Sequence, residues 1–365
     1  MKMKKLLKDI ASYSKGTQIN GDELIEDGEY DYLNGGVVPS GKWNEYNTPA
    51  WTVTISEGGN SCGFVNYMKK PFWCGAHCYY LYDTLQNSQY LYYVLKSQQR
   101  RLMGIRTGAC MPNIKKTDLG NFEVVYDSDE KKQEYVVSVL RKIESIISAR
   151  EQEHDKLDDL IKARFVEMFG DPIANPMRWD KCPLGKECEI ITGNTPSRKV
   201  SAYYGDYIEW IKSDNINTRN AILTKAEEYL SEEGLKVGRC VDAGAILMTC
   251  IAGSLGCIGN VAIADRQVSF NQQINGIIPR KNNTWFMYVL FELSKKVIQS
   301  SINMALKGIL SKGQLAEMEF IFPPIDLQNE FADFVEQVEK SKAAVQKSLT
   351  ETQLLFDSLM QQYFG

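Results

Sequence analysis

Cys62, Cys74, His77 and Cys78 bring three thiols and an imidazole into one stretch of chain, and these are the ligand types that zinc prefers. Cys74 and Cys78, however, stand four apart in a segment of strand-like composition (Phe72, Trp73, Tyr79, Tyr80). Positions an even number apart on a strand share a face but sit too far apart for comfortable chelation. We therefore expect these cysteines to act as small buried hydrophobes. The only other histidine is His154, which leaves histidine-based catalysis almost nothing to work with. The chain has no Gly-rich loop ending in Lys-Ser/Thr, no His-Glu-x-x-His and no Gly-x-Ser-x-Gly. Asp171-Pro172 and Asn175-Pro176 lack the second proline and the aromatic residue of an amine-methylation motif, and no Asp…Glu-x-Lys pattern offers a nuclease metal site. The chemistry left to this chain is recognition.

The elements that would position such a reader come in duplicate. At roughly 100–200 residues per domain, 365 residues predict two or three domains. Charged residues at 24% and hydrophobic ones at 44% fit ordinary soluble globular domains and exclude disordered or fibrous classes. The start, Met1-Lys2-Met3-Lys4-Lys5-Leu6-Leu7, is cut short by Lys8-Asp9 before an apolar signal segment develops, and no run approaches the ~18–20 apolar residues that span a bilayer. The expected location is cytoplasmic, with the nine cysteines kept as thiols and no membrane partner. Met168-Phe169-Gly170 recurs as Tyr363-Phe364-Gly365, and Asp118-Leu119-Gly120-Asn121-Phe122-Glu123 parallels Gln314-Leu315-Ala316-Glu317-Met318-Glu319. The chain is two copies of one unit.

Each copy ends in a long heptad-like pattern. The first seam runs Val136, Leu140, Ile143, Ile147, Arg150, His154, Leu157, Ile161, Arg164, Met168; the second runs Phe331, Val335, Val338, Lys342, Val345, Leu349, Thr352, Phe356, Leu359, Tyr363. Helices of about 35–39 residues would be about 55 Å long. Globular helices rarely exceed ~20 residues, so the two seams are expected to pair as an intramolecular coiled coil. Gly170-Asp171-Pro172-Ile173-Ala174-Asn175-Pro176 stops the first helix and links to the second copy. Shorter helices are expected near Tyr90–Arg101 and Trp285–Ser300. The fold class is α+β: two mainly β domains in pseudo-two-fold arrangement, joined by two long antiparallel coiled-coil helices. The boundaries are 1–126 for the first domain, 127–170 for the first helix, 171–325 for linker and second domain, and 326–365 for the second helix.

The second copy opens with Leu184-Gly185-Lys186-Glu187-Cys188-Glu189-Ile190-Ile191-Thr192-Gly193-Asn194-Thr195-Pro196-Ser197, followed by Tyr203-Tyr204-Gly205-Asp206-Tyr207-Ile208-Glu209-Trp210-Ile211-Lys212-Ser213-Asp214. It continues with Phe270-Asn271-Gln272-Gln273-Ile274-Asn275 and Phe322-Pro323-Pro324-Ile325. This resembles the target recognition domain of the DNA specificity subunit of type I restriction–modification systems. Tyr30-Asp31-Tyr32-Leu33-Asn34-Gly35-Gly36 in the first copy resembles another form of the same domain, so the likeness covers essentially the whole chain. The first copy departs from the pattern where Gly16-Thr17-Gln18-Ile19 replaces the Thr-Pro-Ser turn, and where Gly75-Ala76-His77-Cys78 replaces Asn271-Gln272-Gln273-Ile274.

The resemblance implies a non-catalytic subunit that reads a bipartite, asymmetric target on double-stranded DNA, one half-site per domain, with the helices as a ruler. It also implies docking of two modification (methyltransferase) subunits and recruitment of restriction subunits. S-adenosylmethionine, ATP and Mg would belong to those partners, and no cofactor or metal to this chain. The helix residues assigned to partner binding are Leu140, Ile143, Ile147, Leu157, Ile161, Val335, Val338, Val345, Leu349 and Phe356. The alternative is an assembly scaffold that does not read DNA, or a specificity subunit of another phage-defence complex.

Base edges are read by paired donors and acceptors, whereas phosphates are held by cations, hydroxyls and backbone amides. The turn carrying Thr195, Ser197, Arg198 and Lys199 suits phosphates, or else is simply a solvated turn. Lys212, Ser213, Asp214 and Asn215 leave an apolar strand as a polar loop within reach of bases, and Asn34 and Gly35 match them in the first copy. Lys15 and Thr17 flank Gly16 in the first copy's turn. Asn271 and Gln272 carry amides suited to adenine, or alternatively satisfy buried backbone, and Arg106 and Lys307 are candidate phosphate clamps. The charge of −4 is unevenly spread. Residues 1–126 carry 14 basic and 12 acidic groups and 171–325 carry 17 and 16, whereas 127–170 carry 8 and 11 and 326–365 carry 3 and 7. The acidic excess lies on the helices, so weak DNA binding by the isolated chain is expected, with partners supplying phosphate neutralisation.

Overall fold

The computed structural model describes residues 2–85, 87–108, 110–302 and 308–365. The chain divides into two compact units, one of residues 1–151 with 347–365 and the other of residues 152–346. The boundaries therefore fall inside the long helices rather than at their ends. Each β domain takes the adjoining stretches of both helices into its own unit, because the helix seams are part of each core.

Both units repeat one topology. In the first, strands Ser12–Lys15, Cys78–Tyr82, Thr52–Ser56 and Val65–Met68 form an antiparallel sheet in that order. Beside it, Gly41–Trp43, Tyr30–Leu33 and Phe72–Cys74 form a second sheet whose last pair is parallel. In the second unit the corresponding order is Cys188–Thr192, Ile274–Pro279, Ile246–Thr249 and Val261–Ile263. Its partner sheet runs Tyr229–Leu230, Tyr204–Ile211, Val268–Phe270 and Cys240–Val241, again with one parallel pair, Tyr204–Ile211 with Val268–Phe270. A short antiparallel pair closes each unit: Lys2–Leu6 with Glu123–Asp127, and Lys181–Pro183 with Glu319–Ile321.

The helix after each sheet starts on an asparagine. Asn87 Oδ1 accepts from the backbone N–H of Gln89 and Tyr90 (3.0 and 3.1 Å), and Asn283 Oδ1 from Trp285 and Phe286 (2.9 and 3.4 Å), satisfying donors that the first turn leaves unpaired. The helix expected near Tyr90–Arg101 is broken into Ser88–Ser97 and Gln99–Gly104, whereas its counterpart, Thr284–Ser300, is continuous.

The long helices span Glu130–Phe169 and Ile325–Phe364, 40 residues each. Every residue of both expected seams is buried or half-buried. In the first unit Val136, Val137 and Leu140 join Met360 and Phe364 in one core. In the second, Ile161, Phe165 and Phe169 join Phe331, Val335 and Val338. The helices are antiparallel there: Asp158 meets Lys342 at 2.7 Å, and six residues further along Arg164 meets Glu330 at 3.3 Å. The seam turns toward the β core at its end, where Phe165 and Phe169 are fully buried and Arg164 and Met168 only half-buried. A straight helix drifts by about 20° per heptad relative to a strict seven-residue pattern, so over about four heptads the buried face moves to the neighbouring residue. No helix among the described residues is long and apolar enough to cross a membrane.

Candidate nucleic-acid interface

In each unit, loops at the ends of neighbouring strands are stitched into one edge by the same backbone hydrogen bonds. In the second unit Gly193 N donates to Ile274 O (3.0 Å), Asn194 N to Phe270 O (3.1 Å), Asn271 N to Ile211 O (3.1 Å) and Ile251 N to Gln273 O (3.1 Å). In the first, Gly16 N donates to Cys78 O (3.4 Å), Thr17 N to Cys74 O (2.9 Å), Gly75 N to Leu33 O (2.9 Å) and Glu57 N to His77 O (2.9 Å). Glycine is required where the strands cross closest. A Cβ on Gly16 would lie 1.9 Å from Cys74 O, and one on Gly193 2.2 Å from Asn271 O. The backbone frame is common, but the side chains on it differ: Ala76, His77 and Glu57 stand where the second unit has Gln272, Gln273 and Ile251.

On the second unit's edge, Thr195, Ser197, Lys199, Asp214 and Gln272 are exposed. The Thr195 hydroxyl bonds to the Gln272 side chain, tying the two loops together. Arg198 lies over the rings of Tyr204 and Trp210 (4.5 and 5.1 Å to the centroids) and 2.6 Å from Glu228, which also receives Lys212. Hydrogen bonds from Lys212 and then Arg198 hold the Glu228 carboxyl below the usual carboxylate range against the opposing effect of burial. Two of the expected DNA cations thus share one acid, Glu228. Ser213 and Asn215 belong to a short 3-10 turn, Ser213–Asn215. The Asn215 side chain accepts from Lys212 N (3.0 Å) and donates to Lys225 O (3.0 Å), so it shapes the loop rather than facing outward. Beneath the loop, Arg266 forks onto Glu209 through Nε and Nη2 (2.8 and 2.7 Å), and Glu209 also accepts from Ala226 N (2.8 Å).

Of the two roles expected for Asn271, the structure shows the second: it is 6% exposed and its amide is closed onto Gln273 (3.0 and 3.3 Å), where it satisfies the turn. Asn34 is spent the same way, accepting from His77 N at 3.1 Å, and Gly35 is a buried left-handed position (φ 84°) whose carbonyl accepts from Ser61 Oγ at 2.6 Å. Lys15 is ion-paired to Glu57, Thr17 and Arg106 are exposed, and Lys307 lies outside the described residues. The helix residues assigned to partners are corrected likewise. Leu140, Ile143, Ile161, Val335, Val338 and Val345 are buried, and Ile147, Leu157, Leu349 and Phe356 half-buried, so the seam is used within the chain. The large hydrophobic side chains left open on the helices are instead Tyr135, Ile146, Leu354 and Leu355 in the first unit and Leu160, Val166 and Ile325 in the second.

Cys74 and Cys78 sit in an apolar cluster with Leu33 and Phe72. Their thiols point at backbone carbonyls, Cys74 at Cys78 O (3.4 Å) and Cys78 at Tyr79 O (3.6 Å). The contact with Cys78, together with burial, pushes the Cys74 thiol up, away from the thiolate a metal would need. His77 points elsewhere, to Glu57. Sequence reasoning missed a shallow groove of about 450 Å³ beside Cys188–Thr192, lined by Arg239, Arg280 and Lys312. The exposed Glu189 lines the same groove, the Arg239 guanidinium donates to Thr192 O at 2.6 Å, and none of the three cations has an ion-pair partner among the described residues. They are far apart in sequence, so no local motif announces them.

A family model, the type I restriction modification DNA specificity domain, matches the chain over residues 2–158 and again over 176–352. A Mycoplasma genitalium protein that bears the name of a type I specificity subunit is 33% identical over 140 residues, 38% of this chain and 36% of that one. The MjaIX specificity subunit of Methanocaldococcus jannaschii is 29% identical over 193 residues, 48% of this chain and 43% of that one. The chain thus matches less than half the length of these curated relatives. Over 100% of this chain and 96% of the other, the fold is that of the crystal structure of a type I restriction–modification system S subunit from M. genitalium, with a TM-score of 0.63 at 19% identity. With two matching domains that cover most of its length, the chain belongs to the type I restriction modification DNA specificity domain family.

Proposed function

We propose that this chain is the sequence-specific DNA-binding specificity subunit of a type I restriction–modification complex, without catalysis of its own. The observation that supports it best is one loop frame built twice and furnished with different side chains. Such a pair of readers addresses two unlike half-sites, as an asymmetric bipartite target requires. Two modification subunits would dock on the long helices through the outward apolar side chains rather than the seam, and restriction subunits would join them. S-adenosylmethionine, ATP and Mg would be bound by those partners. Methylome sequencing of cells co-expressing the chain with its modification subunits is expected to reveal one gapped, asymmetric motif; a methylome without a gapped motif sinks the proposal.

The pairing of Lys15 with Glu57, and of Arg198 and Lys212 with Glu228, favours a second reading, an assembly scaffold that no longer reads DNA. Glu228→Gln separates the two. If this edge meets DNA, freeing both cations should tighten non-specific binding and steepen the fall of log K with log salt by up to about 0.9 per cation. Fluorescence anisotropy across a salt series measures that slope, and an unchanged slope would place Arg198 and Lys212 off the DNA.

A further inference from the structure

Glu57, Lys15 and His77 meet on the loop edge of the first unit. The Glu57 side chain is only 12% exposed, and both its oxygens are engaged: Oε1 by the Lys15 ammonium and Oε2 by His77 Nδ1 at 3.4 Å. His77 is anchored from two sides, its N–H donating to Asn34 Oδ1 (3.1 Å) and its carbonyl accepting from Glu57 N (2.9 Å). Asn34 reaches His77 by packing directly over Gly75, where a Cβ would lie 2.2 Å from its amide oxygen. On this rigid support the His77 side chain is 64% exposed. An exposed His–Glu contact on a mobile loop would fix nothing. Here a largely buried carboxylate and a braced backbone set the ring's orientation.

The contact also favours one tautomer. A carboxylate beside Nδ1 favours the proton on Nδ1, and in that form the neutral ring offers Nε2 as an acceptor. In the major groove the complementary donors are the exocyclic amines of adenine and cytosine. We infer that His77 reads one base of the first unit's half-site by accepting from such an amine at Nε2, and that Glu57 is the residue that positions it. The inference rests on the proposed function above. It is confined to the first half-site, because the second unit holds Gln273 and Ile251 at the matching backbone positions and so has no carboxylate to orient a reader there.

The test uses the full chain co-expressed with its modification subunits, with the methylome as readout. His77→Ala is expected to make one adenine or cytosine position in one half of the motif degenerate, with discrimination lowered roughly tenfold. The other half and the gap should stay as they were. Glu57→Gln, which keeps the shape and loses the charge, should relax the same position, a change that a purely structural role would not confine to one base. If His77→Ala abolishes methylation altogether, His77→Gln decides: methylation restored with an altered base at one position supports the assignment, and no methylation, or an unaltered motif, overturns it. An unaltered motif in His77→Ala likewise overturns it while leaving the proposed function standing. A wild-type methylome with no gapped motif removes both.

Discussion

Phe331→Ala is expected to cost the second unit about 4 kcal/mol. Phe331 is fully buried and meets Phe165 and Phe169 edge-on, at 5.4 and 5.7 Å between ring centroids. Phe165 in turn stacks on Phe286 at 5.4 Å, and Phe169 meets Phe286 edge-on at 5.0 Å. The four rings come from both long helices and from Thr284–Ser300, so the cluster ties three elements together. Truncation removes the transfer energy of a buried phenyl ring and leaves a cavity whose walls are held by three other rings and cannot collapse. Because the chain has two compact units, the measurement must be resolved by residue. Hydrogen exchange should show amides of Thr284–Ser300 and Lys312–Glu317 losing protection, while those of Thr52–Ser56 in the first unit keep theirs. A loss below about 1 kcal/mol would mean that the aromatic cluster is not the joint of this unit. Phe356→Ala, at a half-buried ring of the first unit, should cost about half as much.

This joint shows how far the sequence could be read. The heptad spacing from Val136 and from Phe331 is a local signal, and it places the helices and their inward faces because periodicity depends only on residues three or four apart. Phe165 and Phe169 were not in that seam. They follow from the drift between a heptad and a 3.6-residue turn, and from a β core on one side that spacing within the helix does not encode. The duplication of the unit was visible as a repeat. The parallel pairing of Tyr30–Leu33 with Phe72–Cys74, and of Tyr204–Ile211 with Val268–Phe270, was not, since it joins segments distant in the chain. The binding edge divides the same way. The loops were found from their polar residues, but whether Arg198, Lys212 or Lys15 faces solvent or an acid depends on Glu228 and Glu57, and whether Asn271 reads or braces depends on a turn two residues long. Residue type identifies the groups that can bind DNA, and tertiary pairing decides which of them are free to do so.

Lys342→Met is expected to destabilise the second unit by about 3 kcal/mol at neutral pH. Lys342 occupies a seam position matched by Ile147 in the first helix, and it is 6% exposed. Its ammonium bonds Asp158 Oδ1 and Glu339 Oε1, each at 2.7 Å, while Asp158 Oδ2 lies 3.6 Å from the buried His154 Nδ1. Burial alone would lower the Lys342 pKa, but the hydrogen bonds from Asp158 and Glu339 outweigh it and leave the pKa raised. The substitution keeps the stem's volume and removes only the charge, leaving two carboxylates facing each other without a counter-ion. Asp158 and Glu339 are 34% and 22% exposed, so solvent relieves part of that cost and the value sits at the low end for a broken buried pair. The sign of the pH dependence follows from the raised pKa. The pair's contribution is complete below the unfolded lysine's pKa, near ~10.4, and is lost as pH rises through the higher folded value. The stability gap between wild type and Lys342→Met should therefore be flat across neutral pH and, on the alkaline side, narrow only in strong alkali. Replacing both partners, Lys342→Met with Asp158→Leu, should recover much of the loss, since an ion pair exchanged for packed apolar groups is close to neutral. If the single substitution already matches wild type, the pair contributes nothing to stability. Its place in an otherwise apolar seam would then be explained by register, because Lys342 can meet Asp158 in only one alignment of the two helices.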